Sequence, residues 1–383
     1  MTAGSSASHD IVLIISDLGS GGAQRVLVVL AEAWHKRGRR VAVVTWADSD
    51  AGDFFALPAA ITRVSIGSSA HSRSPLGGLA ANIARVLRLR WALRRLDAPV
   101  AVAFVAHSAV LTVLAAFGLG IRVVASERND PDRQSFGPLW DALRRFAYRR
   151  ADRVTANSRG ALESLARFVS RDRLAYVPNP LPSPPASSPV VVQGPTILSV
   201  GRLNRQKAHD VLLRAFARFA PDHPGWRLAI VGEGPEERRL RSLANDLGIS
   251  VAVDWLGQRQ EPWPWLRAAR IFALPSRHEG TPNALLEAMT CGLPCVVSDA
   301  SSLLELVEHG VSGLVVPVED VAGLAAALAR LADDPRLARR LGDAARGKLA
   351  GHAPDSALAA WEAAIGGWPD GESRLRDAKR AVG

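Results

Sequence analysis

Short apolar runs alternate with amphipathic stretches along almost all of this chain. In the first half, IVLIISD, RVAVVTW, PVAVAFV, RVVASE and RVTANS read as strands. AQRVLVVLAEAWHKRG has helical spacing and stops at Gly38, and helical stretches follow each of the last three strands. The second half repeats the alternation. TILSVGRL, RLAIVGEG, VAVDWLG, RIFALPS, PCVVSD and GLVVP are strands, and HDVLLRAFARFA and PEERRLRSLANDLG are helices. Strands alternating with helices predict parallel sheets with helices on their faces, here in two Rossmann-like α/β domains in tandem. Between them, VPNPLPSPPASSP (Val177–Pro189) can continue neither a helix nor a central strand and reads as a linker. The expected organisation is residues 1–176, a linker at 177–189, a second domain at 190–365 and a tail at 366–383. The terminal helices (Val321–Leu349 with a break, then Pro354–Ile365) are expected to complete the second domain.

Length and composition agree with two folded domains: 383 residues, 48% hydrophobic. The stretch from Ala98 to Ile121 carries no Asp, Glu, Lys or Arg and is long enough to span a bilayer. Pro99, His107, Ser108 and Thr112 interrupt it, so it reads as a buried strand (Val100–Val105), a polar turn and a buried helix. The N-terminus lacks the basic start and apolar core of a signal peptide. Cys291 and Cys295 form no disulfide framework and suit a reducing, cytoplasmic compartment. Residues 1–180 hold 24 Lys and Arg against 14 Asp and Glu, and residues 181–383 hold 23 of each. The whole net charge of +10 therefore lies in the first half, which points to an anionic partner there.

In such sheets ligands bind beyond the C-terminal ends of the strands. RHEGTPNALLEAMTCG (Arg277–Gly292) sets Glu279 at a strand's end and Glu287 in the following helix, with Thr281 as the expected N-cap and Pro282 as the first helical residue. The free N–H groups of that helix start, between two carboxylates, suit a sugar nucleotide: hydroxyls at each end and a diphosphate in the middle. The bland alternative is a solvated loop and an exposed helical Glu. In SVGRLNRQK, Arg202 and Lys207 follow another strand, where two cations could hold a diphosphate and stabilise it as it leaves; the glycine pattern of a dinucleotide site is absent. VGEGPEE puts Gly232 and Gly234 in a loop able to pass close to a ligand.

GRLNRQK, VGEGPE, ALPSRHEGTPNALLEAMTCGLPCVVSD and HGVSGLVVP, in that order, resemble family 4 of the retaining glycosyltransferases, across nearly all of the second half. GGAQRVLVVLAEAWHKRGRRVAVVT, RADRVTANS and YVPNP extend the resemblance more loosely into the first. The resemblance implies the GT-B fold, two Rossmann-like domains facing across a cleft. It also implies transfer from a nucleotide sugar, UDP-linked in this reading, with retained configuration and neither cofactor nor metal. It assigns ribose binding to Glu287, the donor sugar to Glu279 and the diphosphate to Arg202 and Lys207. Gly22 and the backbone of Gly280, Thr281 and Asn283 would approach the donor, and Gln258, in LGQR (Leu256–Arg259), would frame the base.

Where family members often carry His–Asp in the first domain, this chain reads VVASERNDP, with Glu127 and Arg128; His107 is a second acceptor-side candidate. SERNDP looks like a subgroup that extends lipid-linked oligosaccharides or polysaccharide repeat units. Ala208 stands where a glycine often follows the lysine. DSD (Asp48–Asp50) has the spacing of a metal-binding D-x-D but reads as a solvated loop, and GSSAHSRSPLGG (Gly67–Gly78) reads as flexible. In the helix expected at Gly78–Leu96, Val86, Leu89, Leu93 and Leu96 form an apolar face. Arg85, Arg88 and Arg95 flank it on one side, and Arg90 and Arg94 on the other. That suits either an interfacial helix on the cytoplasmic face of an anionic inner membrane or an ordinary packed helix; Leu139–Arg153 has similar character. The competing functions are a UDP-sugar epimerase of the same fold, a non-catalytic sugar-nucleotide binder and a nucleic-acid binder. The last is disfavoured by two tyrosines and no recognised motif.

Overall fold

The computed structural model describes residues 8–47, 52–67, 75–132, 134–181, 184, 186, 188–300 and 302–368. Asp48–Asp50 and most of the Gly67–Gly78 stretch lie outside the described residues. The chain forms two compact units, divided between Pro180 and Leu181.

The first unit is built on β1 (Ile11–Ile15), α1 (Gly22–Lys36), β2 (Val41–Thr45), β3 (Thr62–Ser65), α2 (Pro75–Leu96) and β4 (Val100–Phe104). It continues with α3 (Ala106–Ala116), β5 (Arg122–Glu127), α4 (Pro138–Arg150), β6 (Arg153–Ala156), α5 (Arg159–Ala166) and β7 (Leu174–Tyr176). Its seven strands run in the order β3-β2-β1-β4-β5-β6-β7, all parallel, so the order switches direction between β1 and β4. Every residue of β1, β2 and β4 is buried, the unbroken apolar pattern of strands covered on both faces. Helices α2 to α5 share a core on one face, and α1 packs on the other. The uncharged Ala98–Ile121 stretch is β4 and α3. The polar turn expected between them is absent: α3 starts straight after Val105, which takes a φ of 65° and ψ of 155°. Such a conformation is close to glycine-only, and a β-branched residue there stores strain.

The second unit contains β8 (Thr196–Val200), α6 (His209–Phe219), β9 (Arg227–Val231), α7 (Glu237–Asp246), β10 (Val253–Gly257) and α8 (Trp263–Ala268). After these come β11 (Ile271–Leu274), α9 (Asn283–Thr290), β12 (Cys295–Ser298), β13 (Leu314–Val316), α10 (Val321–Asp333) and α11 (Pro335–Gly347). Its parallel sheet runs β10-β9-β8-β11-β12-β13, with the switch between β8 and β11.

The last helix, α12 (Pro354–Ala364), corrects an expectation. From Ala357 on, the chain belongs to the first unit, not the second. Leu358, Trp361 and Ile365 lie on one helical face and join the core around β1 and α1; Trp361 stacks on Phe104 at 5.5 Å. Arg122 donates to the Ile365 carbonyl at 2.7 Å, and Trp368, assigned to a tail, meets Trp34 edge-on. Periodicity identifies an apolar face but not which sheet it covers.

Candidate active site

The loops after β8 and β11, the two strands at the switch point of the second sheet, are laced together. After β8, residues 205–207 make a single 3-10 turn, with the Asn204 side chain accepting from the Lys207 N–H at 3.2 Å. Arg277, in the β11 loop, donates its N–H to the Gln206 carbonyl at 2.8 Å, and Gln206 Nε2 returns a bond to the His278 carbonyl at 2.9 Å. The Arg277 guanidinium grips both carboxylate oxygens of Asp210, at 3.2 and 3.1 Å, and also reaches Glu319 and the Arg205 carbonyl. Ser302 donates to the Glu279 carbonyl at 2.9 Å.

This lacing brings Lys207 Nζ to 2.6 Å from Glu279 Oε1. Glu279 is 6% exposed and Glu287 1%, so neither is the solvated carboxylate of the bland alternative. Lys207 has three N–H donors and uses one on Glu279, which fixes its position and leaves donors for an anion. Arg202 is exposed on the same loop; its carbonyl accepts from the Asn204 N–H at 2.8 Å, and its guanidinium has no hydrogen-bond or ion-pair partner among the described residues. The helix start differs by one residue from expectation: Pro282 is the N-cap of α9 and Asn283 its first residue, because extended backbone persists through Pro282 (ψ 120°). Gly280 and Thr281 lie buried in the turn leading to it, and Glu287 lies just over one turn in.

The glycines have a packing reason in addition to the expected one. A Cβ on Gly232 would sit 2.0 Å from the Gly201 carbonyl oxygen, and one on Gly234 would strike the Leu203 backbone. They let the loops after β8 and β9 pack on each other. Gln258, at the end of β10, is tied to that layer through its N–H to Glu233 at 3.2 Å.

In the first unit, Gly22 opens α1 just after the β1 loop, where Asp17 Oδ1 accepts from the Gly19 N–H at 2.8 Å and Gln24 Nε2 at 3.0 Å. His107 is exposed in the first turn of α3, its ring 3.7 Å from that of Trp140 and edge-on to Phe136. Desolvation between these rings, then Arg85, holds its pKa below the usual histidine value. Glu127 is fully committed: Oε2 accepts from Tyr148 at 2.8 Å, and Oε1 accepts the N–H groups of Arg128 and Asn129 at 2.9 and 3.1 Å. Burial pushes its pKa up, against the Tyr148 bond and Arg144. Arg128 is buried against Phe104 and bonded to Asn179, and desolvation lowers its pKa to about 10.

Sequence reasoning missed Arg277, Gln206, Tyr148 and Trp140. Gln206 stands inside the quoted GRLNRQK, but nothing in sequence spacing links Arg277 to Asp210, 67 positions away.

The arrangement places a carboxylate clamped by an ammonium at a topological switch point, with an unpartnered guanidinium on the same loop, which is chemistry suited to hydroxyls and anions. Residues 185–348 match the family of glycosyl transferases group 1, and residues 20–182 match glycosyltransferase family 4. The chain belongs to the group 1, family 4 glycosyltransferases. This family 4 chain is 40% identical over 205 residues to an exopolysaccharide phosphotransferase of Streptomyces coelicolor, covering 52% of this chain and 21% of that protein. It is 30% identical over 233 residues to the N-acetylgalactosamine-N,N'-diacetylbacillosaminyl-diphospho-undecaprenol 4-alpha-N-acetylgalactosaminyltransferase of Campylobacter jejuni, covering 58% of this chain and 63% of that one. It thus spans less than two thirds of the length of either relative. Among solved structures, HepE of Anabaena in complex with UDP-glucose superposes with a TM-score of 0.78 at 19% identity, over 93% of this chain and 99% of HepE. That likeness shows the GT-B fold.

Proposed function

We propose that the family 4 chain moves a sugar from a UDP-sugar to a hydroxyl of a glycan acceptor carried on a lipid diphosphate, in cell-surface glycan synthesis at the cytoplasmic face of a membrane. The observation that carries this reading is the Lys207–Glu279 pair at the β8/β11 switch, with the exposed Arg202 on the same loop as Lys207. Arg202 and Lys207 take the diphosphate, and the spare Lys207 donors offset the charge that grows on the β-phosphate as the glycosidic bond breaks. Glu279 takes donor-sugar hydroxyls and Glu287 the ribose diol. Gly280, Thr281 and Asn283 at the start of α9, with Gly22, approach the donor; Gly232 and Gln258 shape the side toward the base. The acceptor oxygen attacks the anomeric carbon from the face the diphosphate leaves. A phosphate oxygen of the leaving group takes the acceptor's proton, so configuration is retained.

On the acceptor side His107 suits the role better than Glu127. Its imidazole is exposed and its pKa is held below the usual histidine value, whereas both Glu127 oxygens are occupied and serve to hold the β5 end. The UDP-glucose complex of HepE supports the donor nucleotide, and the diphospho-undecaprenol in the name of the Campylobacter relative supports the acceptor class.

The two cations and the α9 start neutralise the diphosphate without a divalent ion. The test is transfer from a panel of UDP-sugars to lipid-linked acceptors, in EDTA, followed by mass and anomeric analysis. The expected outcome is an acceptor heavier by one α-linked glycosyl unit at full rate. Absence of transfer with every donor, or activity recovered only with Mn²⁺ or Mg²⁺, contradicts the reading.

A further inference from the structure

The apolar face expected to meet a membrane is not on the surface. Leu89, Leu93 and Leu96 of α2 are buried in the core of the first unit, and Val86 packs against it. The opposite side of the same helix carries a different apolar seam. Ile83, Leu87 and Trp91, spaced four apart, are 53%, 61% and 59% exposed. The seam continues on the neighbouring helices: Phe117, at the end of α3, is 75% exposed, and Leu139 and Phe146 of α4 are exposed as well. Scattered exposed apolar residues mean little, but a run along three adjacent helices on one face of a sheet marks an interaction surface.

Its charge says what kind. Helix α2 carries Arg85, Arg88, Arg90, Arg94 and Arg95 with no Asp or Glu, α3 has neither sign, and α4 carries four arginines against Asp141 alone. Arg144 is buried, but Arg88, Arg94, Arg95, Arg145, Arg149 and Arg150 are exposed, and two of these lie against the apolar groups. The Arg95 guanidinium lies 5.3 Å from the centre of the Trp91 ring, and that of Arg150 5.2 Å from the centre of Phe146. Arg90 donates to the carbonyls of Ala115 and Phe117, at 2.9 and 2.6 Å, which fixes the end of α3 beside α2. Exposed aromatic and aliphatic groups on helices that also expose arginines, with hardly any acid, match the boundary between acyl chains and anionic headgroups. Among the described residues no helix is long and apolar enough to cross a membrane.

We propose that the outer face of α2, α3 and α4 docks on an anionic bilayer, with Leu87, Trp91 and Phe117 entering below the headgroups and the exposed arginines pairing with lipid phosphates. This rests on the proposed function for its purpose, since it would bring the enzyme to a lipid-linked acceptor. The surface itself is argued from its own residues. Attraction by the arginines falls with salt, and the buried seam does not.

The test is co-sedimentation of the full chain with phosphatidylglycerol–phosphatidylcholine vesicles and with phosphatidylcholine alone, at low and high salt, with UDP-sugar transfer to a soluble acceptor measured in parallel. Wild-type protein is expected on the anionic vesicles, less at high salt and little on the neutral ones. Leu87→Ser with Trp91→Ser, and separately Arg94→Glu with Arg95→Glu, are expected to reduce vesicle binding at least tenfold while soluble transfer stays unchanged. Failure of the wild type to bind, or binding that survives both pairs of substitutions, overturns the docking surface. So does concentration-dependent self-association abolished by Trp91→Ser, which would make the seam an interface between copies. Loss of transfer with vesicle binding intact would instead overturn the proposed function.

Discussion

At the scale of single residues, Ala208 shows how a small departure from a family pattern acquires a physical meaning. It stands where related sequences often have glycine, and its φ is 52°, in the left-handed region. That region costs a residue with a Cβ about 1–2 kcal/mol. Glycine removes the cost but gains freedom in the unfolded chain, so Ala208→Gly should stabilise the second unit by about 0.5–1 kcal/mol. Turnover should stay unchanged, because the substitution leaves the Asn204 cap on Lys207 intact. Thermal or urea unfolding checks this; a variant less stable than wild type contradicts it. The two glutamates were legible because they belong to a run with a strong pattern. The commitment of Glu127 to Tyr148 was not, since a tyrosine 21 positions on, in the following helix, carries no local signal of where its hydroxyl points.

At the scale of elements, most strands of both sheets could be read from apolar runs, because buried parallel strands carry no polar positions to blur them. The short β3 and β7 escaped: TRVS and LAY are too brief and too exposed to stand out. On α2 periodicity named the apolar face correctly as a face and left its destination open; core packing took it, and an exposed apolar seam of Ile83, Leu87 and Trp91 lies on the other side. The lacing of the β8 and β11 loops belongs to this scale too. Arg277 touches neither proposed substrate half, yet it holds the Glu279 loop to the start of α6. Arg277→Ala should lower transfer about tenfold to a hundredfold by letting Glu279 and Lys207 drift apart. UDP affinity should change far less, because Glu287 is held in α9. Arg277→Lys should recover only a small part, since an ammonium is unable to grip both Asp210 oxygens. Unchanged turnover in Arg277→Ala contradicts the positioning role.

At the scale of the whole molecule, the two-sheet architecture follows from the order of apolar runs, while the return of α12 to the first unit does not. Its partners are Phe104 and the core around β1, hundreds of residues upstream, and only tertiary packing selects them. The charge imbalance between halves was legible from counting, and the exposed apolar seam with its exposed arginines lies in the basic half. In the proposed nucleotide site Glu287 binds the nucleoside, and Glu279 works through Lys207 and the sugar. Calorimetric titration of UDP into wild type, Glu287→Ala and Glu279→Ala tests it most directly. Wild type should bind. Glu287→Ala should lose about tenfold or more in affinity, the worth of hydrogen bonds to a charged group. Glu279→Ala should bind UDP as well as wild type or better, because Lys207 is released to the phosphates. A wild type that ignores UDP, or UDP binding lost in Glu279→Ala and kept in Glu287→Ala, would contradict the account.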